Sequence, residues 1–362
     1  MKYRYWFLQL QGIGNRMKHI LIQNFYHADA IYHMTEEAWH SFGLLQPPQL
    51  QALLAGKRSW DLDGEYQKFL QTGESFVTLE DAAYPALLRH VYDAPYGLYF
   101  RGRLPSSEEK LIAMVGARRC SAYGRKVAEE LAEFLGQHGY RVVSGMAKGI
   151  DTCSHVGCLR SGSPTIAVLG CGVDVCYPPE NRQIYQQIAQ NGCLLSEYPP
   201  HSQPLARQFP PRNRIISGIS RCVIVVEARE KSGSLITADY ALEQGKEIYV
   251  VPGRMTDAMS VGCNRLIAQG AGIITSPEGF LEEIEGTSFL GVHTEGLPPA
   301  NYFSLEKDES LVYSCFDFYP KSIEQVLEES GMDLLCLLSV IMDLCDKGLL
   351  RECFKNQYIR CQ

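Results

Sequence analysis

From residue 110 onward short apolar runs recur along the chain: LIAMV (111–115), YRVVS (140–144), TIAVLG (165–170), CLLSEY (193–198), CVIVVEA (222–228), EIYVVP (247–252) and GIITS (272–276). They are apolar throughout rather than alternating, the pattern of strands buried on both faces. The stretches between them have helical spacing. In GRKVAEELAEFLGQHGY, residues Val127, Leu131, Phe134, Leu135 and His138 fall on one face and Gly139 supplies a stop. Buried strands alternating with helices of about a dozen residues predict an open, doubly wound α/β domain with a parallel sheet, here assigned to residues 76–285.

Two smaller regions flank it. Residues 1–75 carry NRMKHILIQNF and PQLQALLAG, apolar at three- and four-residue spacing around the breaks GIG and FGLLQPP, which predicts a small helical domain. QGIG followed by a helix has the form of the hairpin in helix-hairpin-helix (SAM-like) modules, where backbone amides meet a phosphate. Residues 286–304 lack periodicity and include Pro298 and Pro299, so a linker is expected. Residues 305–362 read as two amphipathic helices and a hairpin turning near Asn356, the order of a winged helix. Between Leu305 and Asp346, ten Asp and Glu stand against two Lys. That composition suits a reader of DNA poorly, and contact with protein or a structural role is expected there instead.

Hydrophobic residues make up 46% of the 362 and charged residues 21%, ordinary globular usage. The net charge of -7 excludes a chain coated in positive charge and leaves room for a local basic groove. Thirteen cysteines are scattered without a CxxC pair, so buried, reduced thiols and no metal site are expected. The first residues lack the apolar core of a signal peptide and no stretch approaches about 18 apolar residues, which points to the cytoplasm and away from a membrane.

In open α/β sheets ligands bind beyond the carboxyl ends of the strands. The segments following the first six apolar runs contain GARRCSAYG, GMAKGID, CGVDVCYPPEN, PPHSQPLARQFPPRNR, REKSGSLITA and GRMTDAMSVGCN. Gly116, Gly145, Gly149, Gly170, Gly172, Gly233 and Gly253 all fall on that rim, together with Arg118, Lys148, Arg207, Arg212 and Arg214. One such loop would be only a tight turn; six with cations among them predict an anion trough. No loop carries the Walker pattern, and GARRCSAYG is not GxGxxG with an acidic ribose partner, so neither ATP nor NAD is expected as cofactor.

FPPRNRIISGISR (209–221) is the densest of these segments. On a helix Ile215, Ile216 and Ile219 occupy one side, expected to face the sheet, while Arg214, Ser217, Gly218 and Arg221 share the other, expected to face out. From Tyr198 to Val226 there is no Asp or Glu. Four arginines therefore lack a local carboxylate, which favours an external anion. Phe209 is either a core residue or a platform for a base. Catalytic sets are hard to assemble: Asp151 and His155 suit a cap and packing, Ser144 and Ser234 have no histidine placed by a recognisable signature, and Glu227 would be a general base standing alone.

VGARRCSAYG, SGMAKGID, VLGCGVDVCYPPEN, SEYPP, FPPRNRIISGIS, VVEAREKSGSLITADYALEQGKEIYVVPG and SVGCNRLIAQGA together resemble the DprA family, also called Smf, over about residues 80–280. The resemblance implies an extended Rossmann-like domain that binds incoming single-stranded DNA, forms a homodimer, and delivers the strand to the RecA recombinase in natural transformation. It also implies the DNA-contacting residues: Gly116 and Arg118; Ser144, Gly145 and Lys148; Phe209, Arg212, Asn213 and Arg214; and, on the far side, Gly233, Ser234 and Thr237. Nucleotide phosphoribohydrolases of the LOG type share this Rossmann variant and use a GTxxE loop with a catalytic glutamate. Here the matching stretch is GSLIT, with Thr237 where that glutamate would stand, so no enzymatic activity is expected. A scaffold that senses a small nucleotide is the other alternative.

Overall fold

The computed structural model describes residues 1–286, 307–316, 321–354 and 356–360. The expected linker lies outside these residues apart from Gly286. The chain divides into two compact units, Met1–Ser288 and Phe289–Gln362.

The first unit begins with six helices: α1 (Lys2–Gln9), α2 (Asn15–Phe25), α3 (Ala28–His33), α4 (Glu36–Phe42), α5 (Pro47–Ser59) and α6 (Leu62–Gln71). Two strands follow that the apolar-run pattern did not reveal, β1 (Ser75–Thr78) and β2 (Gly97–Gly102). The expected alternation then appears as β3 (Lys110–Val115), α7 (Ala122–Gln137), β4 (Tyr140–Ser144), α8 (Ile150–Arg160), β5 (Ile166–Leu169), α9 (Arg182–Asn191), β6 (Cys193–Ser196), α10 (Phe209–Ile219), β7 (Cys222–Val225), α11 (Gly233–Glu243), β8 (Glu247–Val250), α12 (Val261–Ala268), β9 (Gly272–Ile273) and α13 (Pro277–Glu285). The nine strands form one sheet in the order β1-β2-β6-β5-β4-β3-β7-β8-β9. From β6 to β9 every neighbour is parallel, while β1 and β2 add an antiparallel edge.

Side chains of β3 leave alternately to the two faces. Leu111, Ala113 and Val115 join a core with Ile215, Ile216 and Ile219 of α10, whereas Ile112 and Met114 join one with Ala128, Leu131 and Leu135 of α7. Both faces are thus covered by helices, which is why the strand reads as an unbroken apolar run. The first core continues into Trp6, Phe7, Leu21, Trp39 and Leu53 of the leading helices. The chain runs from β3 through β6 toward one edge, then returns to place β7 on the other side of β3. That reversal opens a crevice at the carboxyl ends of β3 and β7.

Helix α10 corrects the expected amphipathic picture. Its isoleucines are buried as expected, but Arg212, Arg214, Ser217 and Gly218 are buried too. A Cβ on Gly218 would lie 2.5 Å from Leu88 Cδ1, because the segment between β1 and β2 packs across that face. Arg214 consequently does not face solvent. Its Nη2 donates to both carboxylate oxygens of Glu197 at 2.9 Å, its Nε to the Asp93 carbonyl at 3.0 Å, and its Nη1 to the Pro211 carbonyl at 3.2 Å. Asn15, the first residue of α2, donates to the same Glu197 at 2.6 Å. This cluster ties the leading helices to the end of β6 and to α10.

The second unit contains α14 (Lys307–Cys315), β10 (Lys321–Ser322), α15 (Ile323–Ser330), α16 (Leu334–Asp346), β11 (Leu350–Phe354) and β12 (Gln357–Arg360), with the strands ordered β10-β12-β11. Asn356 adopts φ 58° in the tight turn of the hairpin. Val312, Phe316, Val326, Leu337, Ile341 and Leu344 form its core. Among the described residues no helix is long and apolar enough to cross a membrane.

Removing one member of a buried, hydrogen-bonded ion pair leaves the other charge uncompensated, a cost of about 3–5 kcal/mol. Arg214→Ala is expected to lower unfolding stability by that order, and the double variant Arg214→Met/Glu197→Met to recover part of the loss. Urea unfolding monitored by tryptophan fluorescence checks both.

Candidate nucleic-acid interface

The crevice at the strand-order reversal is a cleft of about 710 Å³. Its lining includes Gly116, Arg118 and Arg119 after β3, Phe209, Arg212 and Asn213 at the start of α10, and the segment from Arg229 to Thr237 that leads into α11. Five basic side chains line it (Arg118, Arg119, Arg212, Arg229 and Lys231) against one carboxylate, Asp151. Arg118, Arg119 and Lys231 are exposed and form no ion pair among the described residues. A chain of net charge -7 therefore holds a locally positive cleft, and its concave walls strengthen the attraction for an anion.

Arg212 forms the floor. It is only 4% exposed, and its Nη1 donates to the carbonyls of Gly145, at 2.8 Å, and Val168. Its Nε donates to Asn213 Oδ1 at 3.2 Å. Burial pushes the guanidinium down to about 10, opposed by Asp151, so it remains charged at neutral pH. Asp151 accepts from the Gly145 and Ala147 amides at 3.1 and 3.3 Å, and burial pushes its carboxyl up. A Cβ on Gly145 would stand 2.7 Å from the Arg212 guanidinium, so only glycine lets the two approach.

Phe209 is half-buried, which resolves the choice between core and surface as a ring at the cleft wall. A Cβ on Gly170 would touch it at 2.8 Å, Tyr177 lies 5.5 Å away with the planes inclined by 34°, and the guanidinium carbons of Arg118 and Arg212 are each 5.9 Å from its centroid. Aromatic rings beside guanidinium groups suit stacking with a planar, anionic ligand. On the opposite wall Asn213 Nδ2 reaches the Gly233 carbonyl at 3.4 Å, and Ser232, Gly233 and Ser234 form the amino end of α11, with Thr237 one turn on.

Of the residues expected at the site, Gly116, Arg118, Phe209, Arg212, Asn213, Gly233, Ser234 and Thr237 line one cleft. Four do not. Ser144 is buried and donates to the Met114 carbonyl at 2.6 Å, joining neighbouring strands. Gly145 lies beneath Arg212. Lys148 stands outside on an exposed loop, 2.6 Å from Glu180. Arg214 is held by Glu197, as described above. Arg119, Tyr177, Arg229 and Lys231 were not singled out from the sequence, although all four sit in the same rim loops as residues that were. Glu227 is not free to act as a base: it accepts from the Ser121 amide at 2.8 Å and from the Ser121 hydroxyl at the start of α7. His155 is fully buried, with Nδ1 2.8 Å from Thr165 Oγ1. That hydroxyl donates to the Val142 carbonyl at 2.6 Å, so the histidine is the donor to it.

A family model described as DNA recombination-mediator protein A matches residues 75–285, from the first strand to the last helix of the first unit. The chain belongs to this family. The DNA processing protein DprA of Streptococcus pneumoniae is 44% identical over 224 residues, 62% of this chain and 77% of that protein. The Bacillus subtilis DprA is 42% identical over 217 residues, 60% of this chain and 73% of that one. The X-ray structure of the S. pneumoniae DprA superposes with a TM-score of 0.70 at 36% identity, covering 78% of this chain and 98% of that one. A structure of DNA processing protein A from Helicobacter pylori, which concerns its unique single-stranded DNA binding mode, superposes with a TM-score of 0.53 at 32% identity, covering 59% and 97%. The Rossmann-like core of this DprA-family chain lies in the matched residues 75–285.

Burial lowers His155 from 6.5 to about 3. An unfolded chain takes up a proton near pH 6.5 that the folded one refuses, so this imidazole contributes stability above that pH that is lost as pH falls. Between about pH 6.5 and 5 the loss is expected to approach about 1.4 kcal/mol per pH unit. His155→Gln should flatten that part of the profile, read as unfolding midpoints across the range.

Proposed function

We propose that the cleft binds single-stranded DNA without sequence preference and that the protein serves DNA processing in natural transformation. The observation that carries this is the half-buried Phe209 ring with Arg118 and Arg212 beside it, in a cleft whose lining sets five cations against one carboxylate. Phosphates would meet Arg118, Arg119 and Lys231, and a base would stack at Phe209 and Tyr177. Gly116, Asn213, Gly233, Ser234 and Thr237 would border the strand, and Arg212 would anchor the floor. Contacts of this kind read phosphate and the π-face common to every base, hence no sequence preference. The single-stranded DNA binding described for the H. pylori relative supports the same conclusion.

In this proposal Ser144, Gly145 and Arg214 act by shaping the site, and Lys148 contributes weakly because Glu180 already holds it. The protein works in the cytoplasm as a homodimer and passes the strand to the RecA recombinase, as the family resemblance implies, without a cofactor and without catalysis. Nucleotide hydrolysis is disfavoured by chemistry at two positions: Thr237 has no carboxylate, and Asp151 is occupied by backbone amides. Release of free base from AMP by the purified protein would reinstate it.

Arg118→Ala with Lys231→Ala is expected to weaken binding to an oligo-dT strand by about tenfold at moderate salt and to reduce the log-log salt slope by about 1.4, two phosphate contacts at about 0.7 each. Lys148→Ala should change affinity far less. Fluorescence anisotropy at several salt concentrations reads both, and affinity equal for single and double strands would remove the stacking contact.

A further inference from the structure

Helix α16 has two apolar faces, and the core uses one. Leu337, Ile341 and Leu344 are buried in the second unit. On the other side Leu335 is 78% exposed and Met342 69%, with the half-buried Leu338 between them. At about 100° per residue these three fall within about 60° of arc. Their spacing of three and then four residues is that of a seam that receives knobs from a second helix. Solvated helices normally carry polar residues on such a face, and an exposed apolar stripe marks an interaction surface.

The charge around the stripe narrows the partner. Asp343 and Asp346 flank it on α16 itself, and Asp333 and Glu328 are exposed at and before the start of the helix. No Lys or Arg lies within α16. Of the nearby cations, Lys347 is 2.5 Å from Glu309 and Lys321 2.6 Å from Glu329, so neither offsets those carboxylates. A nucleic-acid backbone would be repelled here, and a second copy of the helix would set acid against acid. A helix with apolar residues at heptad spacing and lysine or arginine beside them satisfies both features.

We propose that the outer face of α16 docks a basic amphipathic helix of a partner protein, with Leu335, Leu338 and Met342 as the apolar seam and Asp343 and Asp346 as the charged border. The face belongs to the second unit and the cleft to the first, and docking on it needs no DNA.

The full-length protein is titrated with a labelled helical peptide of about three heptads, Leu at a and d and Lys at e and g. Controls are the same peptide with Glu at e and g, and one keeping Lys but with Ser at a and d. Binding is expected for the first alone, weakened at least tenfold by Leu335→Ser/Met342→Ser and several-fold by Asp343→Asn/Asp346→Asn, with oligo-dT affinity unchanged. Because the altered side chains point into solvent, an unchanged thermal midpoint is expected and checks folding. No binding of the first peptide, equal binding of the Glu or Ser peptide, or binding indifferent to both double variants would overturn the proposal. So would concentration-dependent self-association lost in Leu335→Ser/Met342→Ser, which would make a second copy the occupant, or loss of DNA affinity in that variant, which would make it a nucleic-acid surface.

Discussion

A buried guanidinium sets the shape of the cleft. Arg212 is desolvated almost completely, and a charge in that position must be met by acceptors or it would destabilise the fold. The acceptors are backbone carbonyls at the ends of neighbouring elements, Gly145 just after β4 and Val168 in β5, with the Asp151 carboxylate nearby. Each tie draws one more segment to the amino end of α10. The glycine at 145 is required because any Cβ would collide with the group that organises it. Phe209, three residues earlier, is thereby held at the wall with its ring between Gly170 and the open space.

The cleft that results is a place where buried and exposed cations divide the work. Arg212 is fixed and structural, while Arg118, Arg119 and Lys231 stay solvated and without an ion pair among the described residues, which keeps them available to a ligand at little desolvation cost. Asp151 is the one carboxylate in the cleft lining, and it is buried. Glu227 and Glu197 lie at the same rim, yet each is consumed, one by Ser121 and the other by Arg214 and Asn15. A positive cleft in an acidic protein is therefore a matter of which charges are already satisfied rather than of composition. The acidic second unit, with its apolar outer helix, carries the opposite surface chemistry.

Much of the architecture could be read along the chain. Strands β3 to β8 fall within the apolar runs because burial on both faces leaves no polar alternation to hide them. Strands β1 and β2 escaped because they lie at the antiparallel edge, where SFVT and GLYFRG are short and mixed, and only pairing with β6 makes them part of the sheet. The rim loops were legible as a group for the topological reason that every parallel strand delivers its following loop to the same edge. Which of those loops close on one cleft depends on where the strand order reverses.

Helix α10 divides these contributions most clearly. Periodicity alone determined that it exists, that prolines start it, and that its isoleucines pack on the sheet, since all three follow from spacing within one turn or two. Whether its other face was free could not be known that way. The absence of acids from Tyr198 to Val226 left Arg214 without a local partner, but Glu197 lies 17 positions away in sequence and 2.9 Å away in space. Helical side-chain pairing reaches three or four residues, and this pair joins helix α10 to the residue that follows strand β6. Tertiary structure alone decided that Arg214 joins the fold together while Arg118 remains open to a ligand, because only packing determines which charges find their counterparts inside.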